Sequence, residues 1–197
     1  ELLKSYLPKN AVVIDIGANI GMFPIRLLVD QPDIRFYSYE PFPNNFAILH
    51  KNVAASSFTQ NRISIFNMAV LGKKQDNLKI YFNKKEEYTD SSSLIPGFEN
   101  NHDALPISST TLEEIIKVNG LQKIDLLKLY CEGSEYSILY DSPIDLINSI
   151  PFIVVETHDL DNEKNNLQGV KTFLGSLGFT FKTRSITGKI NMVWAWK

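Results

Sequence analysis

Cysteine is almost missing from this chain: Cys131 is the single one in 197 residues. One thiol forms no intrachain disulfide, so a disulfide-stapled scaffold is excluded and a reducing compartment is the expected setting. An excess of charge of one sign is missing as well, with 20 Lys and Arg against 22 Asp and Glu and a net charge of −2. No basic stripe is available to hold a polyanion, which predicts no nucleic-acid partner. No apolar run approaches the ~20 residues of a membrane span. Glu1 to Tyr6 carry neither the basic start nor the apolar stretch of a secretory signal, so the expected location is cytoplasmic. With three histidines and one cysteine, no segment shows metal-ligand spacing, and the expectation is no metal and an activity that survives chelation. What the chain does have is 44% hydrophobic residues, the ordinary globular share, at a length where about 70% of the unfolded surface is buried on folding. That predicts one domain spanning 1–197; a start without Met points to an excised piece of a longer polypeptide.

Short β-rich runs alternate with amphipathic stretches from the start. Ala11 to Ile16 is near-continuously apolar, as in a strand buried on both faces of a parallel sheet. Gly17 to Gly21 follows, then a helix with Ile20, Phe23, Leu27 and Leu28 on one face and Pro24 in its first turn. The same reading predicts a second strand over Arg35 to Tyr39, a helix over Asn44 to Ala55 capped by Asn44 or Asn45, and a third strand over Ile63 to Val70. Leu78 to Phe82 reads as a hairpin insertion after the third strand, returning across Gly72 to Asn77. Tyr88 to Pro106, with Ser91, Ser92 and Ser93, Pro96-Gly97 and paired asparagines, is expected to be a long mobile lid walling the acceptor side, with Ser92 among the substrate contacts. Regular alternation resumes with a helix from Thr111, a strand over Ile124 to Tyr130, a helix from Ser134 interrupted near Pro143, a strand over Phe152 to Thr157 and a helix over Glu163 to Leu177. Two final strands joined through Gly188 must pair antiparallel, because the link is too short for a parallel crossover. The prediction is an α/β fold of about seven strands, Rossmann-like, mostly parallel with an antiparallel C-terminal edge.

Asp15-Ile16-Gly17-Ala18-Asn19-Ile20-Gly21 sits where the first strand turns into the first helix, the place where open α/β sheets bind nucleotide-like ligands. A dinucleotide fingerprint needs further glycines where this chain has Asn19 and Met22, so a NAD or nucleotide-sugar oxidoreductase is disfavoured. Asp15 would repel a pyrophosphate but welcome an amino or sulfonium group, which favours S-adenosylmethionine. Glu40 ends the second strand near the offset at which a carboxylate grips ribose hydroxyls.

These blocks, with Tyr39-Glu40-Pro41-Phe42-Pro43-Asn44-Asn45, Thr110-Thr111-Leu112, Ile124 to Glu135 and Val155-Glu156-Thr157-His158, resemble the FkbM-type class I methyltransferases from about Val12 to the C-terminus. The resemblance implies a seven-stranded class I fold, S-adenosylmethionine as methyl donor, and transfer to a hydroxyl of a sugar, lipid or secondary metabolite. It also implies a small-molecule acceptor and fusion to, or association with, other biosynthetic domains. Family members usually carry Asp where this chain has Tyr130.

Lys128, Tyr130 and Glu132 alternate on one side of the fourth parallel strand, which sets Glu132 beside the bound cofactor at the strand's carboxyl end. Glu156 and His158, two apart at the end of the fifth, are the best acid/base pair on offer, and His has the unperturbed pKa nearest neutrality. The catalytic candidates are therefore Glu132, Glu156 and His158; the cofactor candidates are Asp15, Gly17, Asn19, Gly21, Glu40, Met68 and Ala69; and the substrate candidates are Tyr130 and Ser92. Lys73 to Lys85 holds five lysines, read as a solvated hairpin with a phosphorylated acceptor as the alternative. The rival reading of the whole chain, motivated by Tyr130, is a cofactor-binding module with weak or lost transfer.

Overall fold

The computed structural model describes residues 6–85 and 91–197. The first strand, β1 (Val12–Ile16), is central, and its alternation feeds two cores at once. Ile14 and Ile16 join one apolar cluster while Val13 joins the other, on the opposite face of the sheet. β2 (Arg35–Tyr39) and β3 (Ile63–Phe66) add in parallel on one side of β1; β8 (Leu126–Leu129) and β9 (Phe152–His158) add in parallel on the other. The order of strands therefore reverses between β1 and β8. At such a switch point the connections leave in opposite directions and a crevice opens at the carboxyl ends.

Two strands complete the seven-stranded sheet, whose order is β10-β11-β9-β8-β1-β2-β3. β11 (Ile190–Trp196) runs antiparallel to β9 and to β10 (Thr180–Ser185), as the short link at Gly188 requires, and β10 takes the edge. Its Lys182 and Arg184 are exposed and blunt that edge against pairing with another chain.

The helices cover both faces. α1 (Met22–Asp30) buries Pro24, Leu27 and Leu28, with Pro24 inside the first turn where its missing N–H costs nothing. α2 (Pro43–Ala54) follows β2 directly; it begins at Pro43 with Phe42 at the cap position, which takes Asn44 and Asn45 into its first turn so that neither caps it. α3 (Leu112–Asn119) is capped by Thr111, whose hydroxyl accepts from the Glu114 N–H. α4 (Glu135–Asp141) and α5 (Ile144–Ser149) are the halves of the interrupted helix, broken at Ser142-Pro143. α6 (Leu167–Ser176) starts four residues later than its periodicity suggests. The reason is local: Asp161 Oδ1 accepts from the N–H groups of Glu163, Lys164 and Asn165 and holds them in a turn, leaving Asn166 as the cap.

The segment after β3 departs from expectation. The third strand stops at Phe66, and Asn67 donates to the carbonyls of Glu40 and Pro41, which turns the chain off the sheet. β4 (Ala69–Leu71) then pairs in parallel with β7 (Ser109–Thr111) in a sheet of its own. The insertion's antiparallel pair is β5 (Lys79–Phe82) with β6 (Asp103–Pro106), not β5 with the strand before it. Long-range pairing of this kind leaves no local sequence trace, since β6 lies within what reads as loop. Of the expected lid, Tyr88 to Asp90 lie outside the described residues. Ser91 onward is tied down by a bridge between Tyr81 and Ser93 and by the bond from Asn101 Nδ2 to the Ser91 carbonyl.

Candidate functional site

The crevice at the switch point is a cavity of about 410 Å³, within the usual range for small-ligand sites. Gly17, Asn19, Glu40, Met68, Ala69, Tyr130, Glu132, Glu156 and Ser92 all line it, although they come from six separate stretches of chain. Asp15, Gly21 and His158 do not. Gly21 instead lets α1 approach α2, since a Cβ there would stand 2.6 Å from the Leu49 side chain. Asn45, Ser134 and Glu99 also line the cavity and were not singled out; each lies in a loop or helix start that only tertiary folding brings to the strand ends.

At the β1 end, Gly17 has φ +72° and Asn19 φ +50°, so the loop turns tightly under the cavity. The N–H groups of Gly17 and Ala18 both donate to the Tyr39 carbonyl, which leaves the Asn19 N–H to donate to Glu40 Oε2 at 2.8 Å. Oε1 of Glu40 accepts from the Phe42 N–H at 2.9 Å. Each carboxylate oxygen keeps a free lone pair, and the residue is only 4% exposed. Burial raises its pKa to about 7, against the two backbone donors and the charge of Lys128, which lower it.

Asp15 has no exposed surface and does not reach the cavity. Across the β1–β8 register it meets Lys128, whose Nζ stands 2.9 Å from Oδ1 and donates to the Gly17 carbonyl at 2.7 Å. Lys128 also lies over the Tyr130 ring, 4.6 Å from its centroid. The acidic residue thus anchors the glycine turn from below instead of facing a ligand's ammonium. Lys128→Met leaves a buried, unpaired carboxylate and is expected to cost about 3–5 kcal/mol in urea unfolding, with Asp15→Asn in the same chain recovering part of it. Equal stability of Lys128→Met and the parent chain would show the pair to be dispensable.

At the other end Glu132 has φ +48°, a left-handed conformation that is uncommon for a residue bearing a Cβ. Its carbonyl accepts from the Ser93 hydroxyl at 2.5 Å, which ties the insertion to the end of β8. His158, 3% exposed, sits behind the cavity wall. Its Nδ1 is 3.1 Å from Glu135 Oε1, and its Nε2 is 3.1 Å from Glu132 Oε2 and 3.8 Å from Glu156 Oε1. Nε2 has no hydrogen-bond partner, and its contacts with Glu132 and Glu156 are those of an ion pair. Glu135, fully buried, also accepts from the N–H groups of Gly133 and His158. The place of Glu135 as the hub of this cluster has no signal along the chain except a Glu opening a helix three residues after Glu132.

Burial works to lower the His158 pKa, but Glu132 and Glu135 outweigh it and push the imidazole up to about 10. This corrects the idea of a histidine titrating near neutrality. The pKa of Glu156 is raised, by burial first and then by the charge of Glu132. Tyr130 is pushed up to about 12 by burial and then by Glu156, and its hydroxyl meets Met192 Sδ at 2.8 Å, so the phenol does not serve as a base at neutral pH. The expectation of no ligand cluster also needs correction. Among the described residues, ligand atoms of Glu132, Glu156 and His158 lie within 4.8 Å of one another, because β8 and β9 are neighbours in space though not in sequence. None of the lysines at 73, 74, 79, 84 and 85 lines the cavity. No helix among the described residues is long and apolar enough to cross a membrane.

Comparison with known proteins agrees with this geometry. Residues 15–181 match the methyltransferase FkbM domain. The chain is 25% identical over 191 residues to Methyltransferase 1 of Beauveria bassiana, covering 87% of this chain and 73% of that protein. It is 26% identical over 191 residues to the 31-O-demethyl-FK506 methyltransferase FkbM of Streptomyces tacrolimicus, covering 86% and 72%. Among solved structures, an FkbM methyltransferase from Methylobacillus flagellatus superposes with a TM-score of 0.63 at 16% identity, over 95% of this chain and 44% of that one, a likeness of fold. The protein is a methyltransferase with S-adenosylmethionine as its cofactor, and the chain belongs to the FkbM methyltransferase family.

Proposed function

We propose that this chain transfers the methyl group to a hydroxyl oxygen of a small-molecule acceptor, a sugar, lipid or secondary metabolite. The observation that carries the reading is a single cavity with Glu40 at one end and the paired carboxylates of Glu132 and Glu156 at the other. The cavity fits the cofactor: Glu40 has free lone pairs for two ribose hydroxyls, Met68 and Ala69 offer an apolar wall for a base, and the loop from Gly17 to Asn19 lets backbone approach closely. When bound, S-adenosylmethionine supplies an electrophilic methyl group open to in-line displacement. The protein's part is to hold the acceptor oxygen in line and exclude water. Glu132 and Glu156 accept the hydrogen bond of the acceptor hydroxyl and receive its proton. His158, held by Glu135, is a positioning residue that fixes both carboxylates from behind the wall. Tyr130, the departure from the family's usual Asp, shapes the pocket with its ring. The relative named for a 31-O-demethyl substrate supports oxygen as the acceptor atom.

Glu40→Ala is expected to weaken S-adenosylhomocysteine binding by about ten- to hundredfold in calorimetry, the usual effect of losing a charged hydrogen-bond partner. Unchanged affinity would move the ribose elsewhere. The pH dependence follows in sign. Ribose hydroxyls donate to the ionised carboxylate, so binding draws the Glu40 pKa down from about 7 and releases a proton. Affinity should rise between pH 6 and pH 8, by at most about tenfold per unit below the free-state pKa, and Glu40→Ala should abolish that slope. Turnover with a panel of hydroxylated metabolites, read by mass spectrometry, separates transfer from the rival of a binding module with lost activity.

A further inference from the structure

We propose that Glu132, Glu156 and His158 bind a divalent transition-metal cation at the acceptor end of the cavity, an inference that deepens the reading above and rests on it. The three residues reach one point from the ends of two adjacent strands, with ligand atoms within 4.8 Å of one another. An acidic cluster alone would say little; the histidine carries the argument.

His158 is 96% buried by its side-chain surface, and its Nε2 has no hydrogen-bond partner. Its other nitrogen faces Glu135 Oε1 at 3.1 Å, a carboxylate with no exposed surface that is fixed by two backbone N–H groups. That contact makes Nδ1 an N–H donor and turns Nε2 toward Glu132 Oε2 at 3.1 Å and Glu156 Oε1 at 3.8 Å, so that a metal ion bound among the three takes the place of the Nε2 proton. The two carboxylate oxygens converge on this one ring nitrogen, an arrangement that gathers negative charge at the point a divalent cation would occupy. Histidine ligands to metals are held in this way, with the far nitrogen donating to a carboxylate that sets tautomer and ring plane.

One imidazole nitrogen and two carboxylate oxygens suit Mn²⁺, Fe²⁺, Co²⁺ or Zn²⁺ better than Mg²⁺ or Ca²⁺, which favour all-oxygen shells. Three protein ligands leave coordination positions open, the pattern of catalytic rather than structural sites. Glu132 and Glu156 line the cavity, so those positions face the acceptor. A hydroxyl placed there is oriented and made more acidic by the ion. The cation then gives the acceptor a fixed positive centre beside the reacting oxygen.

The test uses the whole chain, stripped with EDTA, exchanged into metal-free buffer and titrated with Mn²⁺ by calorimetry and by electron paramagnetic resonance of the free ion. One Mn²⁺ per chain is expected. Glu156→Gln should weaken binding at least ~100-fold, and Glu135→Gln, one shell out, by about 10- to 100-fold. Glu99→Gln, a carboxylate of the same cavity outside the triad, should bind as the parent does. His158→Ala opens a buried site and is informative only if its thermal midpoint holds; Glu156→Gln, nearly isosteric and partly exposed, keeps the inference falsifiable. No Mn²⁺ binding, or equal binding by the parent and Glu156→Gln, overturns it. A parallel titration with S-adenosylhomocysteine separates the two levels. Retained cofactor binding without Mn²⁺ binding refutes the metal site alone, whereas lost cofactor binding refutes the reading beneath it.

Discussion

Gly17→Ala is expected to lower the thermal midpoint by about 5–20 °C, or to abolish soluble expression. Two costs add. The residue sits at φ +72°, where a side chain costs roughly 1–2 kcal/mol. An added Cβ would also lie 1.6 Å from the Tyr130 carbonyl oxygen. That neighbour is backbone at the end of β8, so it cannot swing aside as a side chain would, and overpacking of this kind adds about 1–3 kcal/mol. The strands β1 and β8 would have to separate at the switch point, which is also where the cavity opens. Gly120→Ala is the matched control: φ is +60° there too, but nothing lies within 4 Å of the added atom. It should lose only the conformational part. If the two variants melted together, close approach of the strand ends would not be what requires glycine at 17.

The second large effect concerns turnover. Glu132→Gln is expected to lower kcat by ~10² or more, the usual contribution of a group that takes the proton of the reacting hydroxyl, whereas Tyr130→Phe should retain most of kcat. The phenol gives up only a contact with Met192 Sδ at 2.8 Å, and a group pushed up to about 12 is protonated under assay conditions in any case. Its ring, against Lys128 and along the cavity wall, is kept by phenylalanine. The measurement is steady-state turnover with a hydroxylated acceptor, with thermal midpoints to show that both variants are folded. Loss of turnover in Tyr130→Phe with Glu132→Gln active would make the phenol the catalytic group and reverse the roles.

The parts of this protein that could be read from the chain are those encoded by neighbours. Val12 to Ile16 is apolar at every position but one, and a glycine turn follows; a strand feeding a helix at a parallel sheet's centre satisfies both. Thr111 caps a helix through an atom three residues away, and Ser142-Pro143 breaks one through the ring's own clash. Gly188 forces an antiparallel return because a crossover needs more chain. Local sterics and hydrogen bonds decide each of these, so the sequence alone suffices for the alternating α/β order and the strand-end position of Glu40.

The tertiary structure decided what depends on residues far apart in sequence. Asp15 reads as a ligand group until register sets it against Lys128, which stands 113 positions later and neutralises it in the interior. β5 pairs with β6 across a long insertion because their alternation matches in space, with no turn signal to announce it. His158 reads as a near-neutral base until Glu132 and Glu135, more than twenty residues earlier, surround it and raise its pKa. Charges separated along the chain barely interact in water, but a few ångströms apart inside a folded core their energies reach several kcal/mol, enough to set protonation. That proximity is a property of strand order, which is why the local architecture was legible in the residues and the chemistry of the cluster was not.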